Sequence, residues 1–187
     1  MSFINKELPE FKVNAYHNDD FVEVTNKDLE GHWSVLFFYP ADFTFVCPTE
    51  LEDLVNNYEA LKAEGVEVYS VSCDTHFTHK AWADASENIR NIKFPMLSDA
   101  NANLAKYFDI YLEDEGLSLR GTFVFNPEGQ CKLYEIHDNG IGRNASELLR
   151  KVQAAKFVGE HGDQVCPANW KPGAETLTPG IDLVGKV

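Results

Sequence analysis

The sequence predicts an α/β protein built on a mixed sheet, and three observations lead there. Short apolar runs alternate with segments of helical periodicity up to about residue 108. Two further strand-like runs then flank a Pro/Gly turn, and a last helical segment follows. Strands alternating with helices, then a hairpin, then a helix, describe helices packed on a sheet of mixed direction. Trp33 to Tyr39 is short, apolar, aromatic and stopped by Pro40, so it reads as a fully buried strand. Glu50 to Lys62 reads as an amphipathic helix, with Leu51, Leu54, Val55, Tyr58 and Leu61 at helical spacing and Gly65 ending it. Val66 to Ser72 is a second strand, Thr78 to Ile89 a helix carrying Trp82, Pro95 to Leu97 a short strand, and Asn103 to Phe108 a short helix.

Gly121 to Phe125 and Cys131 to Ile136 enclose Asn126-Pro127-Glu128-Gly129, which predicts an antiparallel hairpin. Asn144 to Phe157 is a helix with Leu148, Leu149 and Val152 on one face; Asn144 suits the N-cap, with Glu147 three residues on. Past Gly159, Pro167, Pro172, Gly173, Pro179 and Gly180 interrupt any regular element. The expectation is one domain over residues 1–187, with 160–187 as an extended C-terminal arm.

A chain of 187 residues with 44% apolar content suffices for one full core. The formal net charge of -14 argues against nucleic acid or an anionic membrane as partner, since both need a basic footprint. The longest apolar run, Val35 to Tyr39, is far short of a membrane span, and no basic start with an apolar stretch opens the chain. A cytoplasmic home is therefore expected. The four cysteines, Cys47, Cys73, Cys131 and Cys166, are then expected to be free, catalytic or redox-active, not structural bridges. None forms a C-x-x-C pair, which weakens a thioredoxin-type dithiol and a structural zinc site alike. Neither is a metal site expected at His76 and His79, for which a surface or interface role is favoured. No Gly-rich dinucleotide fingerprint is present.

Cys47 is the residue whose context points to chemistry. It follows the buried strand and opens a helix, and Pro48 is favoured at a first helical position. Backbone N–H groups and the dipole favour negative charge at a helix start, so a thiol there tends toward the reactive thiolate. Cys73 and Cys131 end or begin buried strands and read as bystanders. Trp82 and Trp170 read as packing anchors.

Pro40-x-x-x-Thr44-x-x-Cys47 resembles the active-site signature of the peroxiredoxins. Val165-Cys166-Pro167 with Trp170 and Gly173 resembles the resolving-cysteine segment of the typical two-cysteine branch, and Arg120 precedes a strand-like run as that family's arginine does. The stretches Phe37 to Leu51 and Ser70 to Trp82, with the ending Asp182 to Val187, are similar to the bacterial alkyl hydroperoxide reductase C branch. The resemblance implies a thioredoxin-like fold and a peroxidase. Cys47 would be the peroxidatic cysteine, oxidised by peroxide to a sulfenic acid. Cys166 would resolve it as an intersubunit disulfide. Arg120 would be the fixed cation, Thr44 would orient the peroxide, and Pro40 would shield the sulfur. Glu50 and Arg143 would steady the arginine, and the N–H groups of Val46 and Cys47 would add donors.

The resemblance also implies a homodimer assembling into a ring of five dimers through the active-site loop and the segment Thr75 to His79. It implies recycling by an external reductase, with FAD and NADH on that partner and no cofactor on this chain. A redox-regulated chaperone or peroxide sensor is the alternative, and a thiol–disulfide oxidoreductase a second one, disfavoured by the missing C-x-x-C. The Gly-Gly-Leu-Gly insertion and the Tyr-Phe C-terminal helix of easily over-oxidised members are absent, so a comparatively robust enzyme is expected.

Overall fold

The computed structural model describes residues 2–186. It comprises two compact units, one up to Ala145 and one from Ser146 onward. The first unit opens with a hairpin, β1 (Lys12–His17) and β2 (Asp20–Thr25). Asn18 and Asp19 join them with φ of 51° and 61°. Two left-handed residues make the tight turn that matches strand twist, and Asn and Asp tolerate it best among residues with a side chain. The strand β3 (Trp33–Phe38) follows, then α1 (Cys47–Ala63) and β4 (Val66–Ser72). Gly65, at φ 71°, stops α1 as its sequence position predicts.

Next come α2 (His76–Ala85), α3 (Glu87–Arg90), β5 (Met96–Ser98) and α4 (Asn103–Tyr107). A two-residue ladder joins β6 (Tyr111–Leu112) to β7 (Leu117–Ser118). The unit then runs through β8 (Arg120–Phe125) and β9 (Cys131–His137). Seven strands form one sheet in the order β2-β1-β5-β4-β3-β8-β9. β3, β4 and β5 are parallel, and β8 runs antiparallel to β3. This is the mixed, helix-flanked sheet of a thioredoxin-like α/β fold.

The strand period of two divides the core. Leu36, Phe38, Tyr69, Val71, Leu97, Phe123 and Phe125 share one apolar cluster with Leu104, Ala105 and Phe108 from and just after α4. Phe108 stacks on Phe123 with ring centroids 4.2 Å apart. Alternate residues such as Val35, Phe37 and Val68 point to the other face. Gly121 is fixed by close packing: a Cβ there would lie 2.9 Å from both Ile110 Cδ1 and Phe123 Cε2. Gly121→Ala should therefore cost about 1–3 kcal/mol in urea unfolding, since overpacking forces side chains off their rotamers. An unchanged midpoint would show that Ile110 yields freely.

Three expectations need correction. Thr78 to Ile89 is not one helix. Ser86 breaks it, ending α2 in extended conformation and capping α3 by accepting from the Ile89 N–H. His79 is not at the surface: α2 buries His79, Trp82 and Ala83, one helical face at i, i+3 and i+4. The helix expected to begin at Glu50 begins three residues earlier, and Cys47 is its first residue.

The second unit contains all but the first residue of α5 (Ala145–Glu160) and the segment beyond it. That segment is not simply extended. Val165 and Leu177 form an antiparallel bridge with N···O distances of 2.9 and 3.1 Å, closing a loop around Cys166 and Trp170. Trp170 is buried, packs on Phe157 at 5.0 Å and donates its indole N–H to the Ala174 carbonyl. No helix among the described residues is long and apolar enough to cross a membrane.

Candidate active site

The C-terminal end of β3 delivers the chain into the loop 39–46, and the loop delivers Cys47 to the head of α1. The loop is tied down from several sides. The Tyr39 hydroxyl donates to Asp42 Oδ1 at 2.7 Å, and His79 Nδ1 lies 2.7 Å from Asp42 Oδ2. His79 Nε2 lies 3.1 Å from the Leu97 carbonyl, an acceptor, so that nitrogen carries a proton. The Asp42 N–H donates to Asp74 Oδ2 at 2.9 Å. Burial pushes the Asp42 carboxyl up, with His79 opposing, and it pushes the Tyr39 phenol well up.

These anchors hold Phe43 at φ 57°, a left-handed conformation that a bulky residue adopts only when its neighbours over-determine it. The Thr44 hydroxyl donates to the Ala41 carbonyl at 2.8 Å, which leaves its oxygen lone pairs to accept. Pro40 is buried at the loop's start, while Phe45 is 93% exposed at its tip.

Cys47 itself is 0% exposed. Val46 is the N-cap and offers no side-chain cap, and Pro48 has no N–H, so the backbone donors at the helix start are those of Val46 and Cys47. The Val46 carbonyl accepts from Thr49 N and Glu50 N at 3.0 and 3.2 Å and from the Thr49 hydroxyl, which secures the first turn. Sequence reasoning placed Cys47 just outside the helix; it lies one position inside.

Arg120, at the start of β8, brings its Nη1 to 3.4 Å from Cys47 Sγ. The same nitrogen donates to Glu50 Oε2 at 2.7 Å. Nε and Nη2 both donate to the Asn139 carbonyl, at 3.1 and 2.8 Å. Glu50 lies one turn along α1 from Cys47 and is held on its other side by Arg143, through the backbone N–H (2.8 Å), Nε (2.9 Å) and Nη2 (3.0 Å). Arg143 Nη1 donates to the Gly121 carbonyl and Thr122 Oγ1, and its guanidinium lies 3.4 Å over the Phe37 ring. Burial acts to raise the Glu50 carboxyl, but Arg143 and then Arg120 outweigh it and hold it below its ordinary value. Two buried guanidiniums share one carboxylate, so one unit of positive charge is left facing the sulfur.

The structure thus gathers Cys47, Glu50, Arg120 and Arg143 into one buried cluster, with Pro40 and Thr44 on the loop that leads into it. Asn139 is a member that the sequence did not signal, because it acts through its backbone carbonyl.

Cys166 lies on the second unit, where its Sγ rests 3.8 Å from the Ala154 carbonyl. Burial raises its thiol, with Arg150 opposing. Burial, aided by Asp99 and Asp74, pushes the Cys73 thiol up to about 12; burial pushes the Cys131 thiol up to about 11. Both stay protonated near neutrality and lie outside the cluster. Among the described residues, no group of three or more His, Cys, Asp or Glu side chains could hold a metal ion.

A sequence profile of the AhpC/TSA family matches residues 4–133, and one for the C-terminal domain of 1-Cys peroxiredoxin matches residues 154–182. The alkyl hydroperoxide reductase C of Salmonella typhimurium is 56% identical over 187 residues, covering 100% of both chains. The crystal structure of Enterococcus faecalis AhpC superposes with a TM-score of 0.87 at 54% identity, over 89% of this chain and 100% of that one. A reduced 2-Cys peroxiredoxin of Plasmodium vivax gives a TM-score of 0.92 at 33% identity, over 97% and 96%. The cysteine and its guanidinium partner sit inside the span of the first match, and likeness extends along the whole chain: it belongs to the AhpC/TSA family.

Proposed function

We propose that this chain is a thiol-dependent peroxidase that reduces hydrogen peroxide and organic hydroperoxides at Cys47. The observation that carries the reading is the Arg120 guanidinium 3.4 Å from a fully buried sulfur at the head of α1. The Cys47 thiolate attacks one peroxide oxygen, the O–O bond breaks, and the leaving oxygen departs as RO⁻, which takes up a proton to give water or an alcohol. Cys47 becomes a sulfenic acid. Negative charge moves from sulfur to the leaving oxygen, and preorganised donors lower that barrier most when aimed where charge develops. Arg120 supplies them, the N–H groups of Val46 and Cys47 add to them, and the Thr44 oxygen accepts the hydroperoxide O–H. Pro40 keeps water from the sulfur, and Glu50 with Arg143 fixes Arg120.

In the second step the Cys166 thiol condenses with the sulfenic acid, forming the S–S bond and releasing water. A sulfur that is 0% exposed cannot meet another sulfur while its helix turn is wound, so the first turn of α1 must open. The pairing is intersubunit, within a homodimer that builds a ring of five dimers. An external disulfide reductase carrying FAD and driven by NADH returns both thiols, and this chain needs no cofactor of its own. The reaction is placed in the cytoplasm, which four unbridged cysteines suit.

One equivalent of hydrogen peroxide followed by a denaturing, non-reducing gel tests the scheme. The parent should run as a covalent dimer and Cys166→Ser as a monomer, while both consume the peroxide. Cys47→Ser should leave the peroxide untouched. A Cys47→Ser variant that still consumes peroxide at the parent rate would overturn the assignment.

A further inference from the structure

Three acceptors fix the Arg120 guanidinium, and two of them, Glu50 and Cys47, sit on the first turns of α1. The third is the Asn139 carbonyl, which takes both Nε and Nη2. It is the contact that stops the guanidinium from pivoting about its bond to Glu50 and carrying Nη1 off the sulfur. That carbonyl belongs to a turn made by the chain just after β9. Asp138 Oδ1 accepts from the Gly140 N–H at 2.8 Å, and the Asp138 carbonyl accepts from Ile141 N at 2.9 Å. The Ile141 carbonyl lies 3.2 Å from His137 Nδ1. A Cβ at Gly140 would lie 3.3 Å from Asp138 Oδ1, so glycine lets the carboxylate close the turn tightly. A Cβ at Gly142 would lie 3.5 Å from Val46 Cγ1, so the same turn lies against the cap of α1.

We infer that Asp138 is a positioning residue for peroxide reduction: its carboxylate sets the turn whose Asn139 carbonyl aims Arg120 at Cys47. The inference rests on the peroxidase reading above and assigns a role to an exposed side chain that touches neither peroxide nor sulfur. An Asx-type turn needs only the Oδ1 acceptor, not the charge. Asn should therefore replace Asp, and Ala should not.

The test is a double-mutant cycle on the rate constant of Cys47 with hydrogen peroxide, using the full chain. Asp138→Ala should be about 3- to 10-fold slower than the parent, the effect of one neutral hydrogen bond on the geometry of a reacting group. Asp138→Asn should stay within about twofold of the parent. In an Arg120→Met background, Asp138→Ala should add nothing, because the turn then has no guanidinium to aim. A merely structural role would slow both backgrounds alike. Equal slowing in the two backgrounds, an Asp138→Ala rate equal to the parent's, or an Asp138→Asn as slow as the alanine variant would each overturn the inference. A parent that does not reduce peroxide would instead remove the functional reading on which it rests.

Discussion

Arg120→Met should slow the reaction of Cys47 with hydrogen peroxide by about 10²- to 10³-fold, the usual cost of removing one donor aimed at developing charge. The substitution keeps most of the side-chain volume and takes away the cation, the donor to Sγ and the two donors to the Asn139 carbonyl. It does not strand Glu50. Three hydrogen bonds from Arg143, at 2.8, 2.9 and 3.0 Å, remain on that carboxylate. The fold should survive, and the loss should appear in kcat/KM for peroxide. Arg120→Lys should recover only part of the rate. A lysine has one compact ammonium in place of a planar fork, and cannot reach Sγ, Glu50 and the Asn139 carbonyl together. Stopped-flow measurement of sulfur oxidation decides it. A rate within threefold of the parent would mean that the helix start alone carries the chemistry.

How much of this site the sequence discloses depends on how local each contact is. Pro40, Thr44 and Cys47 lie within eight residues, between a strand that reads as buried and a helix that reads as amphipathic, so the reactive cysteine shows in the run itself, while the roles of Pro40 and Thr44 come from the resemblance. Glu50 was readable as well. Cys47, Glu50, Leu51, Leu54 and Leu61 are the buried residues of α1, and a carboxylate at core-face spacing needs a cation. Which cation is not readable, because Arg120 and Arg143 are 70 and 93 residues away in the chain. The resemblance supplied those two positions together with Glu50, and the strand register and the turn after β9 explain them physically.

The β1–β2 hairpin carried a usable signal in Asn18-Asp19, between runs that alternate apolar and polar. The break at Ser86 also had one, since serine before Glu87 is a common N-cap. His79 misled because a histidine in a polar-looking helix start reads as exposed. Its burial depends on Asp42 and the Leu97 carbonyl, 37 and 18 residues away. The Asn139 contact had no signal, because a backbone carbonyl is common to every residue.

Glu50→Ala should be the most destabilising single change in the site, at about 3–5 kcal/mol, the range for leaving a buried charge without its partner. Here it would leave Arg143 without an anion and Arg120 with the Cys47 sulfur alone. The side chains of Arg120 and Arg143 are 3% and 1% exposed, and both bond Glu50. Arg143 keeps the Gly121 carbonyl, Thr122 and the Phe37 ring, but none of these carries a negative charge. Glu50→Gln should cost less, since an amide oxygen can still accept from one guanidinium, while its NH₂ meets donors on the other. The charge contribution has a definite pH dependence. The folded protein holds the Glu50 carboxyl below its ordinary value of 4.5, so the native state binds the proton less readily than the unfolded chain. The stability this supplies is fully present above about 4.5 and is lost as pH falls through the depressed native value. Urea unfolding of the parent and Glu50→Gln should therefore differ most near pH 7 and converge in acid, where the parent's own Glu50 is neutral. A gap that stays constant from pH 7 to the acid end would show that shape, not charge, is what Glu50 contributes between the two arginines.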